Sequence, residues 1–269
     1  MKPGYRSLCC LLSLAALLLL GLSPHSIADA ASGQAIGEAY DLENDELLYR
    51  EVYCAGADPD QVEVIYSDSE GQLLARKKLD YSSGAATPSF VQHNLYSSEV
   101  IEVGLDAGKV TMSIIDAESA EPKKVSSSQA NGKLPLVIDA GFDEFVRAHW
   151  DSLTDGDKKS FLFPFAERSR MVELRIKPIS CSYGTETDQC FRLEMSNWFI
   201  RMLVAPIELG YDPEMRRLTR YRGLSNIGDG KGGGSIVDIR YDYPDLPSLA
   251  CAISDQVQYF SGKPNTGNS

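Results

Sequence analysis

Ser225 has the best claim to nucleophilic chemistry in this chain, because polar Tyr221, Arg222 and Asn226 cluster around it. A serine nucleophile needs a base and a sharp strand-to-helix turn. Gly223-Leu224-Ser225-Asn226-Ile227 lacks the second glycine of that turn. The bases on offer are His93, in a polar stretch after Pro88, and His149, between Ala148 and Trp150 in a helical pattern. Neither belongs to a recognisable triad, so no catalytic residue is assigned. Gly228-Asp229-Gly230-Lys231-Gly232-Gly233-Gly234 is rich in glycine, but a phosphate loop needs a helix after it. Here Ser235 to Tyr243 alternates as a strand, and the glycines read as a hairpin loop. Asp41, Glu43, Asp45 and Glu46 lack the glycine of a calcium loop and read as a turn, as does Asp58-Pro59-Asp60. No cofactor and no metal is expected.

The cysteines carry a firmer message. Residues 1–30 have the three parts of an export signal: Lys2 and Arg6, an apolar run from Leu8 to Leu22, and the small-residue site Ala28-Asp29-Ala30. Cleavage is expected after Ala30, sending the protein to the periplasm. The run is shorter than the roughly 20 residues that span a bilayer, and no later segment is apolar enough to cross. Cys54, Cys181, Cys190 and Cys251 remain, an even number for an oxidising compartment, with three pairings open to them. Cys181 and Cys190 flank a polar segment, Ser182 to Gln189, that resembles a hairpin loop. Pairing them leaves Cys54 to join Cys251. Zinc is the rival use, but there is no C-x-x-C, and neither His93 nor His149 lies near a cysteine.

Loss of Lys2, Arg6 and Asp29 takes the formal charge from −12 to −13. A surface this acidic disfavours nucleic acid as a partner, disfavours tight binding to anionic lipid headgroups and keeps the mature chain soluble.

The elements that must position any site are mostly strands. Val62, Val64 and Tyr66 share a face, Asp68-Ser69-Glu70-Gly71 turns the chain, and Leu73, Ala75, Leu79 and Tyr81 return, with Lys77 the polar exception. Val100–Val103 and Val110–Ile115 form a further pair through Asp106-Ala107-Gly108. Phe161, Phe163 and Phe165 alternate; so do Val172, Leu174 and Ile176, then Phe191, Leu193 and Met195. Ile200 to Leu209 reads as a longer apolar strand, Leu218 to Arg222 as a short one, and Val237 to Tyr243 as the last. One helix is expected, where Phe142, Phe145, Val146, Trp150 and Leu153 fall at helical spacing before Gly156. Glu118 to Lys133 reads as a long polar loop. The fold expected is mainly β: a curved antiparallel sheet, or half-open barrel, of about ten strands with one central helix on its concave face. It forms a single domain over residues 31–260, with a disordered tail at 261–269.

Glu46-Leu47-Leu48-Tyr49-Arg50-Glu51, Val64-Ile65-Tyr66, Gly71-Gln72-Leu73-Leu74-Ala75-Arg76-Lys77, Asp139-Ala140-Gly141-Phe142-Asp143, Tyr211-Asp212-Pro213, Arg217-Leu218 and Tyr221 to Ile227 together resemble a family of uncharacterised exported bacterial proteins. That family brings no activity with it. More distantly, the pattern of strands with one helix across them resembles the half-barrel of periplasmic lipoprotein carriers and sorting proteins. That resemblance implies a hydrophobic cavity for acyl chains. The expected function is therefore non-enzymatic binding of a lipid or other apolar ligand by Phe161, Phe163, Phe165, Leu174, Ile176, Phe191 and Leu193. The alternatives are an envelope protein–protein interaction module with a filled core, and a hydrolase of unfamiliar type.

Overall fold

Tight turns fix the register of the sheet. In the computed structural model, which describes residues 35–130, 132–183, 188–202, 204–228, 234–244 and 251, Asp68 Oδ1 accepts from the backbone N–H of Glu70 and Gln72, and Gly71 takes φ +87°. Ala107 and Gly108 both have positive φ, the two-residue turn whose twist matches its flanking strands. The expected export signal with its cleavage site, residues 229–233 of the glycine-rich stretch and the expected tail at 261–269 lie outside the described residues.

The strands are β1 (Ile36–Asp41), β2 (Leu47–Ala55), β3 (Gln61–Asp68), β4 (Leu73–Asp80), β5 (Ser89–Asn94), β6 (Glu99–Asp106), β7 (Lys109–Asp116), β8 (Pro122–Gln129), β9 (Lys159–Phe165), β10 (Arg170–Ile179), β11 (Gln189–Met195), β12 (Ile207–Asp212), β13 (Arg217–Gly228) and β14 (Gly234–Asp242). They form one antiparallel sheet of 14 strands in the order β8-β7-β6-β5-β4-β3-β2-β1-β14-β13-β12-β11-β10-β9. Two meanders, β1–β8 and β9–β14, are thus sewn together by β1 against β14. The connection from β8 to β9 runs from one edge of the sheet to the other and carries the helices. Its residues 135–137 lie parallel to β9: Val137 N–H donates to Leu162 O and Leu162 N–H to Pro135 O, both at 2.9 Å.

The sheet curls until its edges approach. Ala166, in a 3-10 turn just past β9, is buried in one cluster with Met112 and Ile114 of β7 and with Ile138. Lys124 of β8 donates to Glu167 O at 3.2 Å. A second cluster joins β1–β4, β13 and β14, and a third joins β9–β13 to the helices.

Mainly β architecture, an antiparallel sheet and a helix-bearing mid-chain segment agree with expectation; several details differ. The described residues contain 14 strands rather than about ten, because short or polar strands lack a clear apolar alternation. Glu118 to Lys133 is not a loop throughout but contains β8, whose Lys, Ser and Gln side chains are mostly exposed at the sheet edge. The single helix is broken: α1 (Gly141–Ala148) and α2 (Trp150–Thr154) meet at His149, whose φ of −110° interrupts the helix and whose Nδ1 lies 2.9 Å from Phe145 O. Ile200 to Leu209 is not one strand. Its first two residues belong to a helical turn, α3 (Trp198–Arg201), and pairing begins only at Ile207. His93 lies on β5 rather than in a loop. Both disulfides form as the sequence indicated, Cys181–Cys190 and Cys54–Cys251.

Gly141 explains how α1 fits inside the curve. A Cβ there would stand 2.2 Å from the Ala86 carbonyl oxygen, so only glycine allows the helix to start against the loop before β5. Asp139, at φ +44°, makes the sharp entry.

Candidate functional site

Six of the seven side chains expected to line an apolar cavity gather on one side of the interior, against the protein's own helices; Phe165 does not join them. Phe161, Ile176, Phe191 and Leu193 are buried in one cluster with Val137, Phe145, Val146, Trp150 and Leu153. Phe163 and Leu174 are partly buried against it, and Phe165 is half-buried at the end of β9. The contacts are specific: Phe145 to Phe161 at 4.8 Å between ring centroids, Trp150 to Phe191 at 5.6 Å and Trp150 to Tyr211 at 5.7 Å. Edge-to-face pairs of this kind add to simple area burial.

The chemistry lies next door, on the concave face of β2–β4, β1 and β14. Glu51 is fully buried. Its cross-strand neighbours are Tyr66 on β3 and Gly37 on β1, and Gly37 in turn faces Tyr241 on β14. Any side chain at Gly37 would collide with both: a Cβ would lie 2.8 Å from Glu51 Cγ and 2.9 Å from Tyr241 Cε1. The missing side chain lets Tyr241 reach across and donate to Glu51 Oε1 at 2.5 Å. Tyr53 donates to the same oxygen at a longer 3.4 Å. Glu51 Oε2 is buried and has no hydrogen-bond partner among the described residues. Burial pushes the Glu51 carboxyl above its ordinary range; the phenol hydrogen bonds and Lys77 only partly offset it.

Lys77, the polar exception of its strand, is equally enclosed. Its ammonium donates to both oxygens of Asp139 at 3.0 Å and stands 5.2 Å from the Phe90 ring centroid. A buried lysine stays charged only with such a partner. The pair ties β4 to the entry of α1. There Asp143 and Glu144 both pair with Arg147, so the start of the helix adds further charge to the interior.

Tyrosines complete the wall. Tyr49 and Tyr66 are buried, while Tyr53, Tyr81, Tyr221 and Tyr241 are half-buried. Burial raises the phenols of Tyr49, Tyr53, Tyr81, Tyr221 and Tyr241, so each stays protonated at neutral pH. The arrangement is a concave wall of neutral phenols around one buried carboxyl and one ion pair. It can hold a hydroxyl-bearing group through several hydrogen bonds and stack on its apolar body.

Ser225 belongs to the same region, but its hydroxyl lies 3.1 Å from the Tyr49 hydroxyl and 2.9 Å from the Ile227 carbonyl. His149 is engaged elsewhere: its Nδ1 lies 2.9 Å from the Phe145 oxygen in the helical segment.

No known family and no curated protein matches the chain in sequence. Among solved structures it is similar to one described as a β-barrel-like protein of domain of unknown function DUF1849, from Brucella abortus. The two are 11% identical; the match covers 79% of this chain and 99% of that one, with a TM-score of 0.46.

Lys77 and the faces of Tyr66 and Tyr81 were visible in the alternation of the sequence. Glu51 was not singled out, although it shares the phase of Tyr49 and Tyr53. An acidic residue in register with two aromatic ones was the available signal.

Proposed function

We propose that the protein is a non-enzymatic periplasmic binding or carrier protein for a lipid or other amphiphile with a hydroxyl on its polar head. The head meets the phenols and Glu51, and the apolar body runs toward the phenylalanine-lined side that includes Phe163 and Phe165. One observation carries this reading: Glu51 Oε2 is buried inside a tyrosine-lined wall with no partner. An orphan of that kind costs about 1–3 kcal/mol, and a bound hydroxyl would remove the cost in either protonation state of the acid. The distant likeness to half-barrel lipoprotein carriers points the same way by analogy.

Native mass spectrometry of protein prepared from the cell envelope, followed by extraction of what it carries, tests this. The wild type is expected to retain an amphiphile, with loss of most of it in Glu51→Ala and in Phe163→Asp. A wild-type protein that is empty under gentle conditions would favour the second reading, an envelope interaction module. That reading draws on the contacts of Phe145 and Trp150 with Phe161 and Phe191, which fill one side of the interior.

A further inference from the structure

One end of the molecule combines exposed apolar side chains with basic ones. Trp198 and Phe199 of α3 stack at 3.7 Å between centroids yet are 53% and 60% exposed, and Met202, just beyond, is 68% exposed. Val204, Leu224 and Ile236 are also exposed. The last two face each other across β13 and β14 on the outer side of the sheet. A stacked indole and phenyl left in water, with four aliphatic neighbours, is more apolar surface than solubility explains.

Behind this tip the outer face is basic. Lys177 pairs with Arg192 across β10 and β11. Arg222 lies two residues along β13 from Leu224, and its guanidinium stands 5.0 Å from the Tyr183 ring centroid. Arg201 leads out of α3. Arg175, Lys177 and Arg201 all converge on Glu194, while Arg192 pairs with Glu208. With Arg220, which pairs with Asp238 across from Arg222, six cations thus face Glu194, Glu208, Asp238 and Glu173 on this side, in a protein whose net charge is −12. Two strand residues span roughly 7 Å. That spacing sets Arg222 behind Leu224 by a distance comparable with the roughly 5–10 Å to which interfacial apolar groups sink into the headgroup boundary.

We propose that this end docks on an anionic lipid surface: Trp198, Phe199, Met202 and Val204 enter the interface, and Arg175, Lys177, Arg192, Arg201 and Arg222 meet lipid phosphates. Charge complementarity selects the occupant. Lipid phosphates meet these cations at short range beside the apolar tip, where salt screens the net negative charge of the rest of the molecule. The proposal is independent of any ligand held inside the sheet.

Vesicle sedimentation with the purified, disulfide-bonded protein tests it, using phosphatidylcholine alone and phosphatidylcholine mixed with phosphatidylglycerol. The protein is expected to partition to the mixed vesicles, with release as salt rises. Trp198→Ser combined with Phe199→Ser should weaken partition by at least about tenfold, the loss expected from one or two large apolar anchors. Arg192→Gln with Arg222→Gln should weaken it only for the anionic vesicles. Trp150→Phe leaves Trp198 as the sole indole, and its emission should shift to the blue on anionic vesicles. Far-UV circular dichroism checks that each variant remains folded, and Glu118→Gln, in an exposed turn after β7, serves as a variant that should bind vesicles normally. No partition, or equal partition for the Trp198→Ser, Phe199→Ser variant, overturns the proposal. So does self-association by light scattering that the same variant abolishes without any vesicle binding; the patch would then belong to a second copy.

Discussion

At the scale of single residues, the interior behaves as a titrating system. Glu51 is held above the ordinary 4.5 by burial. The folded protein therefore binds a proton that the unfolded chain has already released. Stability from this group is fully present below the ordinary value and is lost as pH rises through the folded one. Glu51→Gln should flatten that slope, so urea unfolding would find the variant gaining on the wild type as pH rises above the ordinary 4.5. Asp238 titrates in the opposite sense. Burial alone would raise it, but the Arg220 fork outweighs burial and lowers it, so its contribution is lost only in acid. Lys77 and Asp139 form a pair that is nearly enclosed, with side-chain exposures of 3% and 18%. Lys77→Ala should cost about 3 kcal/mol by stranding a carboxylate. Lys77→Met together with Asp139→Asn should recover most of that in chemical denaturation, because asparagine tolerates the positive φ at 139. The sequence announced Lys77 through its phase on β4. It did not announce Asp139, whose 62-residue separation from Lys77 is bridged only by the route of the chain.

At the scale of elements, period-two alternation was readable wherever one face met the core. β3, β4, β9, β10 and β11 were visible on that account. β8 was not, because an edge strand of lysine and serine has no apolar face to show. The run Ile200 to Leu209 misled for the opposite reason. Its apolar residues include Met202 and Val204, which are exposed, so hydrophobicity there does not signal a strand. The helix was legible from its spacing, but its break was not; His149 Nδ1 meets the Phe145 carbonyl, and the stripe restarts at Trp150. The candidate site was less legible than the fold, because Gly37, Glu51 and Tyr241 meet only through pairing of the first and last strands. The two disulfides should differ in worth. Cys54 and Cys251 are 197 residues apart, Cys181 and Cys190 only 9. The chain-entropy model gives about 5 kcal/mol for the long loop and about 2.5 kcal/mol for the short one. Paired Cys→Ser variants measured by urea unfolding should show the larger loss for Cys54 with Cys251.

At the scale of the whole molecule, β1 pairs with β14 in the middle of the sheet, and the edges β8 and β9 are joined through α1 and α2. Contacts between the first and last strands form late and require closure of very long loops, so refolding should be slow, on the order of milliseconds to seconds or longer. Stopped-flow tryptophan fluorescence, dominated by the burial of Trp150, would show it.

The edges approach at Lys124 and Glu167 without being zipped into a ladder. A closed barrel has its girth fixed by strand number and shear. Here no ladder between β8 and β9 fixes the circumference, so on the proposed function the sheet widens around a bound amphiphile without breaking a rung between neighbouring strands. Cysteines introduced at 124 and 167 and bridged by a short bis-maleimide would turn this adjustable collar into a rigid hoop. The bridged protein should keep its melting temperature but accept a narrower range of guest sizes than the unbridged one.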